Sequence, residues 1–511
     1  MSDKNKISNE VDVVTIRFAG DSGDGMQLTG TQFTTNTAIF GNDLATLPDY
    51  PAEIRAPQGS LAGVSSFQLQ FGNRNIYTPG DDLDVLVAMN PAALKVHLKD
   101  LKENGSVLVN TANFSKRNLG LAGYETNPLE DGTLDKYRDI QVDMTALVAE
   151  ALKDLGLSSK LMARSTNMFA LGLLYWLYER NVDSTISFLN KKFAKKPEIV
   201  EANVKALKTG YYYGETIEAI KTTYRINKAE YEPGVYRNIM GNHATALGLV
   251  AASQKSGLDL FFGGYPITPA SDILHYLSNY KNFGVKTFQA EDEIAGVCSV
   301  IGSAFAGNLA ATASSGPGIA LKAEAIGLAV MTELPIVVIN VQRGGPSTGL
   351  PTKTEQSDLL QAMYGRNGEC PMVILAPQSP TDCFNTIYEA SKIALEFMIP
   401  VMVLSDGYVA NGSEPWKIPN FEDLPTITPN FATDSESYQP YKHDEKTLAR
   451  QWAVPGMKDF EHRVGGLEKE NITGNVSYDP ENHHEMVEHR QKKVDIIADH
   501  IPDIEPFGDK A

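Results

Sequence analysis

Short apolar runs recur along this chain, each closed by a turn rich in glycine, proline or asparagine and followed by a stretch of helical period. Val11 to Ala19 alternates into a buried strand, Gly20-Asp21-Ser22-Gly23-Asp24-Gly25 forms a tight turn, and Met26 to Phe40 reads as a helix. Leu44 to Pro51 is a proline-punctuated link into Glu53 to Gly59. Ser65 to Phe71, Asp84 to Met89, Val107 to Asn110 and Gln141 to Met144 supply further strands, and Thr145 to Leu155 supplies a helix. Met168 to Glu179 and Thr185 to Ala194 are helical. Lys191, Lys192, Lys195 and Lys196 form the wet face there, or a polyanion site. Alternating strands and helices define an α/β domain over residues 10–225.

Residues 226–240, with Pro233-Gly234, read as a linker, and a second domain spans 241–420. Ala244 to Ser256 is a helix with small residues on every face, so it must pack closely. Asp259 to Gly263, Lys286 to Gln289, Ala310 to Ala313, Ile336 to Val341, Met372 to Leu375 and Val401 to Leu404 are short apolar strands with helices between them. That spacing predicts a mainly parallel sheet covered on both faces. After Trp416 charge, Asn and Pro accumulate. Residues 421–511 read as an extended charged arm with one helix, at His484 to His500, that wraps a neighbour or leads to an absent domain.

Composition narrows the partners. A formal charge of -18 over 511 residues repels nucleic acid and anionic membrane, so neither is expected. It also repels an acidic electron carrier unless another subunit provides the docking face. The three cysteines, Cys298, Cys370 and Cys383, lack a CxxC pair, which points to a reducing, cytoplasmic compartment. They cannot by themselves build a cysteine-ligated cluster or a structural zinc site, and no metal ligands are expected in this chain. Cys298 reads as a small buried residue on an apolar helix rather than a nucleophile. The polar segment Met1 to Glu10 lacks the apolar core of a signal peptide, and no apolar run is long enough to cross a bilayer.

Candidate chemistry collects between Gly263 and Asp358. Four polar turns each follow a strand: Gly264-Tyr265-Pro266-Ile267-Thr268-Pro269, Glu291-Asp292-Glu293, Ser314-Ser315-Gly316-Pro317-Gly318, and Arg343-Gly344-Gly345-Pro346-Ser347-Thr348-Gly349-Leu350-Pro351-Thr352. An open α/β sheet places its site at such strand ends. An acid at the start of a small-residue helix, such as Glu293, is either favoured by the helix dipole or buried so that it holds a proton near neutrality. Arg343, in a glycine-rich turn, is either a bidentate clamp for a carboxylate or a structural ion pair. Thr268 fits a helix N-cap as well as a ligand donor. The Gly20–Gly25 turn could present N–H groups to a phosphate, but Asp21 and Asp24 put negative charge there and the spacing is not GxGxxG.

Tyr-Pro-Ile-Thr-Pro, the acid before the small-residue helix, Ser-Gly-Pro-Gly and Arg-Gly-Gly-Pro-Ser-Thr-Gly-Leu-Pro-Thr together resemble the thiamine diphosphate-dependent 2-oxoacid:ferredoxin oxidoreductases. The whole chain looks like a fused γ–α subunit, most like that of the 2-oxoglutarate:ferredoxin enzymes. The resemblance implies a γ-like α/β domain followed by a thiamine diphosphate pyrimidine-binding α/β domain. It implies that Tyr265, Pro266, Ile267, Glu293 and Gly316 contact the cofactor. Glu293, chosen over its neighbours by the family's glycine spacing through Gly302 and Gly307, would hydrogen-bond ring N1′ and promote the imino tautomer that removes the C2 proton. Arg343 and Thr268 would hold the 2-oxoacid carboxylate, Thr352 would close the pocket, and Lys353 or Arg366 would meet a distal carboxylate or be ordinary surface charges. Mg²⁺, the diphosphate and a [4Fe–4S] cluster would lie on a β subunit. Gly23-Asp24-Gly25 mimics the family's magnesium tripeptide without the asparagine that should follow. Coenzyme A would be partly enclosed by the γ-like domain, with Gly20 to Gly25 the first place to look. The fused subunits usually continue into another α/β domain after the charged arm, which is not seen before Ala511.

The implied reaction is 2-oxoglutarate with coenzyme A to succinyl-CoA and CO₂, with electrons passing to ferredoxin through the β subunit of an (αβ)₂ complex. It is a TCA-cycle step that fixes carbon when run in reverse. A sister enzyme acting on pyruvate or branched-chain 2-oxoacids, a non-catalytic scaffold, and a dinucleotide-dependent dehydrogenase using Gly20 to Gly25 are the alternatives.

Overall fold

A computed structural model describes residues 7–51, 56–217, 222–502 and 508. The chain forms two compact units, Met1–Asn238 with Gly412–Ile418, and Ile239–Asn411 with Pro419–Ala511. No helix among the described residues is long and apolar enough to cross a membrane.

The first unit is built on a six-stranded sheet: β1 (Val13–Asp21), β2 (Asp43–Asp49), β3 (Val64–Gly72), β4 (Leu83–Ala88), β5 (Leu101–Asn110) and β6 (Arg138–Val142), in the order β2-β3-β1-β4-β5-β6. β1, β4, β5 and β6 run parallel, while β3 is antiparallel to both β1 and β2. Helix α1 (Met26–Phe40) and the fully buried helix α2 (Thr166–Leu177) cover one face, where Phe33, Phe71, Tyr175 and Tyr178 pack ring against ring. The stretch expected to be a proline-rich link is instead strand β2. It lies at the sheet edge, where Pro48 is tolerated because a lost N–H breaks no ladder on the open side. The rest of that expected link, Glu53 to Arg55, lies outside the described residues. The expected linker also contains strand Tyr236–Met240, which pairs with Ser413–Lys417.

The second unit carries β7 (Leu260–Gly264), β8 (Val285–Gln289), β9 (Leu309–Ser314), β10 (Ile336–Gln342), β11 (Val373–Leu375) and β12 (Val401–Asp406). The order is β8-β7-β9-β10-β12-β11 and every pairing is parallel, as the spacing of apolar runs predicts. All seven residues of β10 are buried, because helices cover both faces and leave no side for alternation. Helices α3 (Glu293–Phe305) and α4 (Gly316–Met331) cover the face formed by Ala310, Ile336, Val338, Met402 and Leu404. Burying each large apolar side chain there contributes about 1.5–3 kcal/mol. The strand order reverses between β7 and β9, which opens a crevice beyond their C-terminal ends.

The charged arm folds back on the unit it follows. Trp452 is fully buried and stacks on Phe431, and helix α5 (Pro480–Ala498) begins four residues earlier than its sequence pattern suggests because Asp479 caps it. The arm's main task is to finish the C-terminal end of α4, whose last carbonyls have no partner within the helix. Tyr441 Oη donates to Met331 O at 3.0 Å, Arg450 Nη2 to Thr332 O at 3.0 Å, and Lys469 Nζ reaches Met331 O at 3.4 Å. Glu333, left-handed at φ 47°, is then buried between His443 at 2.9 Å and Lys493. Burial alone would raise the Glu333 carboxyl, but Lys493 and His443 hold it well below the ordinary carboxylate range. Burial, aided by His443, pushes the neighbouring His489 imidazole down to about 4.

Lys493→Met strands the Glu333 charge and should cost about 3–5 kcal/mol, read as a lower urea midpoint for the second unit. His489 binds its proton more weakly folded than unfolded, so its contribution is complete above about pH 6.5 and is lost as pH falls toward 4. Glu333 adds a loss at still lower pH. The thermal midpoint should therefore fall through that window, and His489→Phe should flatten the upper part of the fall.

Candidate active site

Two helices approach the ends of β7 and β9 closely because glycine lines the contact. A side chain at Gly296 of α3 would touch the Gly264 Cα at 3.3 Å, and one at Gly263 would strike Ser299 Oγ at 2.5 Å. The small-residue character of α3 is thus what brings its N-terminus over the crevice. At that N-terminus the three acids divide their work. Asp292 is the N-cap, accepting from Ala295 N at 2.7 Å, and Glu291 is exposed. Glu293, the first helical residue, turns toward α4: a Cβ on Gly318 would meet Glu293 Cγ at 2.9 Å and Ser314 Oγ at 2.0 Å. Its side chain is half-buried, not enclosed as its apolar helix suggests, since one flank opens onto the crevice.

Two cations feel the Glu293 carboxylate. Burial lowers the Lys322 ammonium to about 8 and lowers the Arg343 guanidinium, and in both cases Glu293 opposes the shift. Arg343, 7% exposed, follows β10 and donates to Thr268 O at 2.7 Å and Thr348 O at 3.1 Å. The arginine therefore ties the Tyr-Pro-Ile-Thr-Pro turn to the glycine-rich loop through backbone carbonyls. Its Nε is buried with no partner among the described residues. Tyr265 and Thr268 are exposed at the rim and Pro266 and Ile267 are half-buried. Thr352 and Lys353 lie in a loop closed by Gly344 N to Lys353 O at 3.0 Å and Leu350 N to Gly344 O at 2.8 Å. Arg366 is not with them: its guanidinium donates to Ala362 O, Met363 O and Cys370 O at 2.7–3.1 Å and caps its own short helix.

Four further residues, Asn340, Gln342, Asp358 and Lys322, belong to this site and were not picked out from the sequence. Asn340 Nδ2 donates to Asp358 Oδ2 at 2.9 Å, and Asp358 N donates to Gln342 Oε1 at 2.9 Å, which fixes the far end of the glycine-rich loop to β10. The Asp358 carboxylate faces Gly316 at the N-terminus of α4, 2.7 Å from where a Cβ would stand. Lys322 sits below Gly318 on the same helix. The available signals were an amide and a lysine inside otherwise apolar runs. Cys298, expected to be buried, is exposed on α3, because the helix turns that face away from the sheet.

The crevice retains polar capacity that the protein does not use. Ser314 Oγ, Ser315 Oγ, Asn340 Oδ1 and Arg343 Nε are all buried and unpartnered among the described residues. Orphaned buried groups are rare and costly, and here they converge on one strand-end crevice. A planar heterocycle with ring nitrogens and an amino group fits that set of donors and acceptors. The residues present therefore suit an aminopyrimidine.

The first unit has its own polar cavity, of about 610 Å³, beyond the ends of β1, β4 and β5 at that sheet's switch point. Its lining includes Asn167 Oδ1 and Thr166 Oγ1, again buried without partners among the described residues, together with Arg117, Lys160 and Arg164. The Gly20–Gly25 turn lines it, but its aspartates are taken up by backbone N–H groups, one in the turn and one in the loop at Gly59. Asp24 Oδ2 accepts from Asp21 N at 2.8 Å, and the Asp21 carboxylate accepts from Gly59 N at 3.0 Å. Burial, with Asp21 nearby, raises Asp24 to about 6.

Comparison with known proteins agrees with both units. The model described as "Pyruvate ferredoxin/flavodoxin oxidoreductase" matches residues 15–213, and "Pyruvate flavodoxin/ferredoxin oxidoreductase, thiamine diP-bdg" matches residues 253–479. The chain is 59% identical over 99% of its length to the 2-oxoglutarate oxidoreductase subunit KorA of Mycobacterium tuberculosis, covering 77% of that protein. It is 29% identical, over 86% of its length and 72% of the relative, to the 2-oxoacid:ferredoxin oxidoreductase 1 subunit alpha of Aeropyrum pernix. Among solved structures, the 2-oxoglutarate:ferredoxin oxidoreductase from Magnetococcus marinus, with 2-oxoglutarate, coenzyme A and succinyl-CoA bound, superposes with a TM-score of 0.83 at 30% identity. That match covers 98% of this chain and 82% of the other. Identity at this level, sustained through both units, places the chain in the 2-oxoacid:ferredoxin oxidoreductase family, in the form that fuses the γ-like and α-like domains.

Proposed function

We propose that this chain is the α subunit of a 2-oxoglutarate:ferredoxin oxidoreductase, interconverting 2-oxoglutarate with coenzyme A and succinyl-CoA with CO₂. The observation that carries the reading is the placement of Glu293 Cγ against Gly318, beside buried polar groups without partners among the described residues and within electrostatic reach of Lys322 and Arg343. Thiamine diphosphate, when bound, supplies the carbanion-stabilising centre for loss of CO₂. Glu293 offers its carboxyl to pyrimidine N1′ and so exchanges a proton with the ring. Tyr265, Pro266, Ile267 and Gly316 shape the seat of the pyrimidine. Arg343, with Thr268, receives the C1 carboxylate, and the guanidinium brings a buried, unused Nε–H to that task. Thr352 closes the pocket, and Lys353 stands in the same loop for the distal carboxylate.

The choice of 2-oxoglutarate over pyruvate or a branched-chain 2-oxoacid rests on the 59% identity to a 2-oxoglutarate oxidoreductase subunit. With three cysteines, widely separated, this chain lacks the thiolates for a [4Fe–4S] cluster. The diphosphate, Mg²⁺, the cluster and the ferredoxin contact are therefore assigned to a β subunit in a cytoplasmic (αβ)₂ complex. Coenzyme A is assigned in part to the first unit's cavity. Its phosphates would meet Arg117, Lys160 and Arg164 rather than the Gly20–Gly25 turn, whose carboxylates would repel them.

In the purified complex, Glu293→Gln should slow C2 proton exchange of bound thiamine diphosphate by about 10²-fold or more. Wild-type exchange in that variant would favour a non-catalytic scaffold. Turnover of 2-oxoglutarate should exceed that of pyruvate, and the reverse order would transfer the assignment to a pyruvate enzyme. Arg117→Ala and Arg164→Ala should each raise the KM for coenzyme A about tenfold and leave the KM for the 2-oxoacid unchanged. An unchanged coenzyme A KM in both would remove the cavity assignment.

A further inference from the structure

An ammonium taken out of water is costly unless acceptors and counter-charge surround it. Lys322 stands in the middle of α4 with no exposed surface, among glycine, alanine and isoleucine. Its side chain turns back toward the helix N-terminus, the direction helical side chains favour. Nζ donates to Thr312 Oγ1 at 2.8 Å and to Ala313 O at 3.4 Å, both on β9. Those are two acceptors, one of them long, for three N–H groups. Lys322 is one turn from Gly318 on the same helix face, and Gly318 is where the Glu293 stem rests. Ser314 Oγ, buried and without a partner among the described residues, occupies the same gap. Glu293 is the carboxylate that supports the Lys322 charge against burial.

We propose that Lys322 is a positioning residue for Glu293: its ammonium, anchored on Thr312 and Ala313 one turn from Gly318, is a fixed positive charge that orients the carboxyl end of the side chain whose Cγ packs over Gly318, so that it meets the pyrimidine ring. This rests on the thiamine reading of the site. The other charges facing the seat are Arg343 past the end of β10 and Asp358 opposite Gly316. β9 and β10 contribute the neutral Thr312, Ser314 and Asn340, while Glu324 and Asp292 act on Cys298. When Lys322 loses its proton, Glu293 loses the counter-charge behind it, and cofactor capture should weaken.

Two readouts on the heteromeric complex test this across pH: calorimetric affinity of the cofactor-stripped complex for thiamine diphosphate, and C2 proton exchange of the loaded complex. In the wild type both should decline as pH rises through about 8. Lys322→Met should lower both about tenfold at neutral pH and abolish that basic limb. Thr312→Val, which removes the nearer acceptor, should move the limb to lower pH. A Lys322→Met complex with wild-type affinity, exchange and pH profile overturns the proposal. Should that variant fail to assemble, Thr312→Val decides, and an unmoved limb overturns it. Glu293→Gln separates the two readings: if it exchanges normally the thiamine site itself is wrong, whereas a dead Glu293→Gln beside a normal Lys322→Met removes only the role of Lys322.

Discussion

One acidic side chain, Glu293, packs its Cγ over Gly318, within electrostatic reach of a lysine and an arginine, and the architecture of the second unit is arranged to hold it there. The seat exists because Gly318 has no side chain and because Gly263, Gly264 and Gly296 let α3 approach β7 closely. A methyl group at Gly263 would stand 2.5 Å from Ser299 Oγ, and one at Gly318 would stand 2.0 Å from Ser314 Oγ and 2.9 Å from Glu293 Cγ, so either would force its neighbours to shift. The charges follow the same logic. Lys322 and Arg343 are both desolvated, so each interacts with Glu293 more strongly than it would across water.

Helix α4 links this seat to the rest of the unit. Its N-terminal turn carries Gly316 and Gly318, its middle carries Lys322, and its last carbonyls are capped by Tyr441, Arg450 and Lys469 from the arm. The arm is therefore part of the scaffold of the site although it lies at the opposite end of the helix. A charged, asparagine-rich segment can form ordered structure when its charges have partners. Here Glu333, His443 and Lys493 supply one such group, and Glu468 with Arg490 supplies another. Hydrophobic content alone misjudges such a segment, because its organising contacts are capping bonds and ion pairs.

The two units share a physical device. Each has a largely or wholly parallel sheet whose strand order reverses, and each leaves buried amides or hydroxyls without partners among the described residues in the crevice at that reversal. In the second unit these groups suit a heterocycle. In the first they line a cavity with three cations at its wall, and the carboxylates of the acidic glycine turn are taken up by the Asp21 and Gly59 backbone N–H groups. The turn weighed as a phosphate cradle thus spends its carboxylates on protein N–H groups, and the cavity beside it is the feature with free capacity.

Much of this was legible along the chain. Runs such as Ile336 to Val341 can only be buried parallel strands, and glycine- and proline-rich turns after them mark the strand ends where a site forms. The motifs from Tyr265 to Thr352 pointed to the family, and Asp292, Glu293, Thr268 and Arg343 all stand near that crevice. What only tertiary structure decided was how neighbouring residues divide their roles. Three consecutive acids look alike in sequence, yet one caps α3, one meets solvent and one turns to Gly318. Arg366 and Arg343 are the same residue type, but one is consumed by its own helix end. Lys322 reads as an ordinary helical lysine until β9 is seen behind it. Periodicity reports which face of an element is buried, whereas the charge state and partners of a buried polar group depend on contacts far apart in sequence.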